Sequence, residues 1–252
     1  MNAKMVRSLR WSIAALTAAT LAGCVFNATR ITTEKSGECS SASVNVASID
    51  LGDRLGNITV SGTADSLIEA TLTVSEMAIQ GSGETAADQL TVTVTPAKGV
   101  ATVGFSLTDN KDLWELLRFE EATLVANRSL DVYATTSSGN ITLTGINGFV
   151  NLESTSGNVS ADVVHGCYIS VTSGNIDATL APDSTFSSAT FNTTSGNISI
   201  SVPRNFSANL ALSTKSGVIT TPSGNRTTLN GGDSTAVITC SATSGNITIK
   251  EE

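Results

Sequence analysis

Between residues 129 and 252 apolar residues alternate with Ser, Thr, Asn and Asp, and the alternation restarts six times. Each restart is marked by Ser-Gly: the glycines are Gly139, Gly157, Gly174, Gly196, Gly217 and Gly245. Asn140, Asn158, Asn175, Asn197 and Asn246 follow five of them, and Val218 follows the other. Seven and five residues before the glycines stand Val132/Ala134, Val150/Leu152, Cys167/Ile169, Ala189/Phe191, Leu210/Leu212 and Ile238/Cys240. Two residues after them stand Ile141, Val159, Ile176, Ile198, Ile219 and Ile247. A period of two predicts half-buried strands and not helices. The apolar positions are odd before the glycine and even after it, so no strand runs straight through. The chain therefore bends at Ser-Gly-Asn, where Gly and Asn tolerate backbone conformations that other residues resist. These glycines and asparagines are predicted structural corners, and stacked Asn side chains are predicted to form a hydrogen-bonded ladder.

Consecutive corner glycines are 18, 17, 22, 21 and 28 residues apart. A repeat of ~20 residues predicts an all-β solenoid whose coils bury a core only by stacking. Residues 129–252 form the repeat solenoid, and residues 43–128 read as its looser, β-rich N-terminal part, with an early corner at Gly56-Asn57-Ile58. Within that part, residues 110–122 ("NKDLWELLRFEEA") are predicted as a short helical insertion, because Leu113, Leu116, Leu117 and Ala122 make a partial apolar stripe. Residues 221–235 fall in the longest step and are expected to protrude as a loop. The final coil, Thr239–Ile249, is expected to leave an exposed strand edge that is either an assembly surface or the first element to fray, guarded by Lys250, Glu251 and Glu252. Cys167 and Cys240 occupy inward slots three coils apart in sequence, ~14 Å, which is beyond disulfide reach.

The first residues read differently. Lys4, Arg7 and Arg10 precede an apolar run from Trp11 to Leu21, the layout of a signal peptide over residues 1–23. Leu21-Ala22-Gly23-Cys24 resembles a bacterial lipobox. The resemblance implies cleavage before Cys24, a lipid on its thiol, and a domain held to a membrane by acyl chains. Residues 24–42, rich in Thr, Ser and Gly, are expected to be a lipidated tether. The expected location is the bacterial cell envelope, on the outer membrane where the host has one.

Charge narrows the partners. The net charge is −8, with 14 Lys plus Arg against 22 Asp plus Glu, which argues against nucleic acid and against docking on anionic lipid. His165 is the single histidine, so a His-rich metal site is excluded, and its Val-His-Gly setting predicts an exposed turn. Aromatic residues make up 4% of the chain, which speaks against sugar-stacking platforms. Asp162 and Asp177 are placed in adjacent coils at ~8 Å, a spacing compatible with two carboxylates flanking a bond or with a weak calcium site. No Arg or Lys accompanies them in those coils, and they read as two solvated carboxylates. No catalytic residue, metal or cofactor is expected.

The recurring "T-S-G-N-I" strands, preceded by "G-N-I-T-V-S-G" at residues 56–62, resemble the bacterial putative-adhesin family of β-strand-repeat proteins. The resemblance runs from Ser43 to Ile249, with Val218 as a departure. It implies a right-handed parallel β-helix or related solenoid, without catalytic residues or cofactors. The expected function is that of a non-enzymatic envelope lipoprotein presenting solenoid faces to a protein or glycan ligand. The alternative is an exported carbohydrate-active β-helix enzyme, a lyase or hydrolase.

Overall fold

A computed structural model of the chain describes residues 11–16, 19–21, 24–26, 28–79, 85–107, 116–230 and 235–252. Among the described residues there is no α-helix; two large sheets, of eleven and ten strands, face one another across the core. Each coil contributes one strand to each sheet. The Gly139 coil supplies Asp131–Ser138 to the ten-stranded sheet and Ile141–Thr144 to the eleven-stranded one. The Gly157 coil supplies Val150–Ser156 and Val159–Val163, and the Gly174 coil Cys167–Ser173 and Ile176–Leu180. The Gly196 coil supplies Ser188–Ser195 and Ile198–Val202. An earlier coil of the same kind turns at Gly56, between Val46–Asp50 and Asn57–Thr63.

All these strands pair in parallel, and the register puts like positions over like. Val132 aligns with Val150, Val150 with Cys167, and Cys167 with Ala189. Beyond the corner Ile58, Ile141, Val159, Ile176 and Ile198 align in one row. Each of these is at most 2% exposed, so the predicted inward slots are the core. β-Branched residues suit such rows because they pack on a pleated surface at little rotamer cost. Size alternates where it must: Phe191 lies between Ile169 and Cys240, so a small thiol sits against the largest buried ring.

The last two coils are not stacked in sequence order. The Gly245 coil, Val237–Ser244 and Ile247–Glu251, pairs on one side with the Gly196 coil. On its other side it pairs with the Gly217 coil, Ala208–Ser216 and Ile219–Thr220. The final coil is therefore interior, and the expectation that Thr239–Ile249 forms the open edge is corrected: the edge belongs to the Gly217 coil. The 28-residue step is long because the chain must double back over one coil. The stretch 221–235 is not merely a protruding loop either. Thr228–Leu229 pairs antiparallel with Asn209 and Ala208, and buried Leu229 covers part of that edge.

Two further expectations are corrected at the N-terminal end. Residues 24–42 are not only a tether, since Ala28–Ser40 is a thirteen-residue strand paired residue by residue with Leu67–Ile79. Its Ile and Thr residues favour strand, and the long edge of Leu67–Ile79 supplies partners for the N–H and C=O groups that face it. The helical insertion also fails in its second half: Arg118–Asn127 is a strand lying between Leu67–Ile79 and Asn57–Thr63. From Glu121 on, its residues pair on both sides, and tertiary pairing overrides the local stripe. The first half of the proposed helix lies outside the described residues. Strands Leu90–Ala97 and Val100–Leu107 form an antiparallel hairpin that closes the ten-stranded sheet beside Val46–Asp50.

Candidate functional site

The corners are built from three contacts that repeat coil by coil. Each corner glycine has φ between +141° and +158°, a region essentially reserved for glycine. At Gly174 a Cβ would meet the Gly157 carbonyl oxygen at 2.0 Å. Glycine is thus required twice over, by its own conformation and by the backbone of the coil beneath. The Asn side chain of one coil accepts from the backbone N–H of the next: Asn158 N–H donates to Asn140 Oδ1 at 2.8 Å and Asn175 N–H to Asn158 Oδ1 at 2.9 Å. The series continues through Asn197 and Asn246, and ends where Val218 N–H donates to Asn246 Oδ1 at 2.8 Å. The bond runs from backbone to side chain and not, as a rule, between side chains. Among the described residues no coil follows the Gly217 coil in space, so no amide of a further coil awaits an acceptor there, and Val218 is the terminus of the ladder. Inside the corner, Thr193 and Thr214 hydroxyls donate to the carbonyls of Gly174 and Gly245. Gly139, Asn140, Gly157, Asn158, Gly174, Asn175, Gly196, Asn197, Gly217, Gly245 and Asn246 thus all serve the fold.

Cys24 opens a short strand, Cys24–Phe26, paired with Ala19–Leu21 and four residues ahead of the first long strand. Cys39, Cys167 and Cys240 are free thiols. Cys167 and Cys240 lie two coils apart, not three, because the final coil doubles back. That still separates them by ~12 Å, two strand spacings across and two residues along. Burial pushes the Cys167 thiol up to about 12 and raises that of Cys240 further. Neither is a nucleophile at neutral pH.

The acidic pair is placed as the repeat phase requires. Asp162 aligns with Thr179, and Asp177 with Ser160, so the carboxylates are diagonal neighbours on an exposed face. Among the described residues no three His, Cys, Asp or Glu side chains gather as metal ligands. His165 Nδ1 lies 2.9 Å from Thr185 Oγ1 and 3.9 Å from Asp183 Oδ2. The grouping has the residue types of a triad but not its geometry. The Thr185 hydroxyl donates to Asp183 Oδ1, leaving its lone pair, not its proton, for the imidazole. The Thr185 hydroxyl and amide hold the Asp183 carboxyl below its usual value. The cluster ties one exposed turn to the next.

Two surfaces remain without structural employment. At the open end a groove of about 560 Å³ is lined by Arg204, Thr220, Thr221, Pro222, Thr248 and Lys250. On the outer face of the ten-stranded sheet, Tyr133 aligns with Asn151 and Asn151 with Tyr168. These are the two tyrosines of the chain, 41% and 38% exposed. Sequence reasoning passed over them because it weighed total aromatic content. The available signal was phase: both stand six residues before a corner glycine.

A family profile, Toastrack DUF4097, matches residues 28–250. The chain belongs to this family. The resemblance drawn from the repeated strands is therefore correct at the level of family and of β-solenoid-like fold. A solved structure from Clostridium sporogenes, named a putative cell adhesion protein, superposes on the Toastrack chain with a TM-score of 0.56 at 13% identity. It covers 88% of this chain and 100% of that one, and the likeness establishes shared architecture. A putative adhesin from Bacteroides fragilis matches at 12% identity and TM-score 0.35, covering 86% and 96% of the two chains. No curated protein matches the sequence.

Proposed function

We propose that this Toastrack chain is a non-enzymatic cell-envelope lipoprotein, anchored by lipid on Cys24, whose solenoid faces bind a surface ligand. The observation that carries the reading is a division of labour. The repeated residues are consumed by the corners, while the outer faces are flat, hydroxyl-rich and free of a catalytic geometry among the described residues. The adhesin names of its structural neighbours agree with this. Right-handed winding of the successive coils accords with the rule for parallel strand crossovers.

The anchor and the fold fit together. Glu34 pairs with Thr73, Thr73 with Glu121, and Glu121 with Asn57 at the first corner. Ala28 lies six residues beyond that level, so the antiparallel ribbon of Ala28–Ser40 and Leu67–Ile79 projects ~20 Å past the corner edge at ~3.4 Å per residue. Cys24 follows at its tip. The antiparallel ribbon of Ala28–Ser40 and Leu67–Ile79 then acts as a stalk between lipid and solenoid.

Two experiments test the reading. Cys24→Ser is expected to abolish lipid labelling and move the protein from the membrane to the soluble fraction; retention with normal cleavage would overturn the anchor. Beads coated with the chain are expected to adhere to surface material without consuming it. Turnover of a glycan that is lost in both Asp162→Ala and Asp177→Ala would establish the enzyme instead.

A further inference from the structure

We propose that Tyr133, Asn151 and Tyr168 form a platform for a neutral glycan chain. The proposal rests on the surface-binding reading above and names the class of ligand. The three residues occupy one register row on three consecutive strands, so their side chains leave the same face of the sheet. The two tyrosines are separated by two strand spacings, ~9.6 Å, comparable to the step between alternate sugar units in an extended chain. A tyrosine ring offers a negative face to the weakly positive C–H groups of a sugar, with only two side-chain torsions to immobilise.

Between the rings, Asn151 Oδ1 is buried and has no hydrogen-bond partner within the chain. A buried acceptor left unsatisfied is costly, and native structures rarely tolerate one. Outward rotation of the half-buried Asn151 side chain, away from this covered position, presents its amide oxygen to a sugar hydroxyl lying across the row. Exposed Glu153 and half-buried Ser170, two residues along the same face, offer further polar contacts to such a chain. Phe149, two residues before Asn151, extends the aromatic surface over Gly166.

Charge and composition select among ligands. The strands that carry the row lack cations: no Lys or Arg occurs between Arg128 and Arg204, while Asp131 and Glu153 flank the row. Uronate or phosphate groups are repelled there. A protein interface needs an apolar, well-packed centre, and the neighbouring positions Thr135, Thr190 and Asn192 do not provide one.

The test is native affinity electrophoresis of the detergent-solubilised full chain in gels containing a β-glucan, a xylan or a glucomannan, with polygalacturonate as the acidic arm. At least one neutral polysaccharide is expected to retard the protein. Tyr133→Ala and Tyr168→Ala are each expected to weaken retardation by about threefold to tenfold, the scale of one aromatic contact. The Phe variants should retain most of it, and thermal midpoints should be unchanged because both side chains are exposed. Three results overturn the platform: no retardation by any neutral polysaccharide, equal retardation by polygalacturonate, or retardation indifferent to both Ala variants. If bead adhesion persists in those cases, the surface-binding reading stands and only the ligand class is wrong; if beads also fail to adhere, both fall. Bead adhesion to a protein ligand that survives loss of both tyrosines assigns binding to another face.

Discussion

At the corner glycines a single hydrogen atom decides whether two coils can touch. Gly174→Ala would place a methyl group 2.0 Å from the Gly157 carbonyl oxygen, at a φ of +152°. Neither the strand below nor the corner can yield without breaking pairing, so a loss of ~3 kcal/mol or more is expected in denaturant unfolding. The asparagines act more gently. Asn158 accepts one backbone N–H, from Asn175, on an exposed edge where water can replace it. Asn158→Ala is expected to cost ~1 kcal/mol, whereas Asn158→Asp keeps an acceptor oxygen and should cost less. Equal losses in the two variants would show that the side-chain amide donors, and not the oxygen, carry the ladder. The corners were legible in the sequence because each demands the same residues at the same phase. The meaning of Val218 was not: it reads as an irregularity until one knows that no coil lies beyond it.

At the scale of elements, the sequence was legible wherever two sheets enforced alternation, and misleading wherever an element found its partner far away. Ala28–Ser40 looks like a linker because its alternation is weak; Lys35 and Glu38 interrupt it. What orders it is a long edge supplied by Leu67–Ile79. Arg118–Asn127 was obscured by a leucine-rich approach that resembles helix. These strands are tied at the stalk by Glu120. It accepts from Ser75 Oγ at 2.6 Å, pairs with Arg30, and lies 3.6 Å from Arg118. Partial burial raises its carboxyl, but Ser75, Arg30 and Arg118 outweigh this and hold it below its usual value. A depressed folded pKa means that the contribution is complete above the unfolded value of ~4.3 and is lost as pH falls through the folded value. With the site partly exposed, the effect should stay within ~1 kcal/mol. Glu120→Gln is therefore expected to destabilise at neutral pH and to flatten the acid limb of the stability curve. An unchanged acid limb would assign the stalk's pH dependence to other carboxylates.

At the scale of the whole molecule, the order of coils has a consequence for how the chain is completed. Up to the Gly196 coil each new coil is added beside the last. The Gly217 coil then skips one position, and the Gly245 coil returns to fill it. With the rotation unchanged and the advance reversed, this last crossover has the opposite hand to its predecessors. The reversed step is supported by pairing along both edges of the inserted coil. Among the described residues, the Gly217 coil thus depends on residues 236–252 for its only full-length neighbour, while its own outer edge is covered only from Ala208 to Leu210. Leu210 N–H points outward, to Thr227 O, so by alternation the amides of Leu212 and Thr214 face outward without a strand partner. Amide exchange should accordingly be fast at Leu212 and Thr214, and at Cys240 as slow as at Ile169. Removing residues 236–252 should unpair both the Gly196 and Gly217 coils and raise self-association in sedimentation, because exposed edges template pairing. Adding the peptide of residues 236–252 in trans should restore the monomer. Removing Lys250–Glu252 alone should do far less, since Thr239–Ile249 stays enclosed. Slow exchange at Leu212, or a shortened chain that stays monomeric with Ala208–Ser216 fully protected, would mean that the Gly217 coil stands without its inserted neighbour.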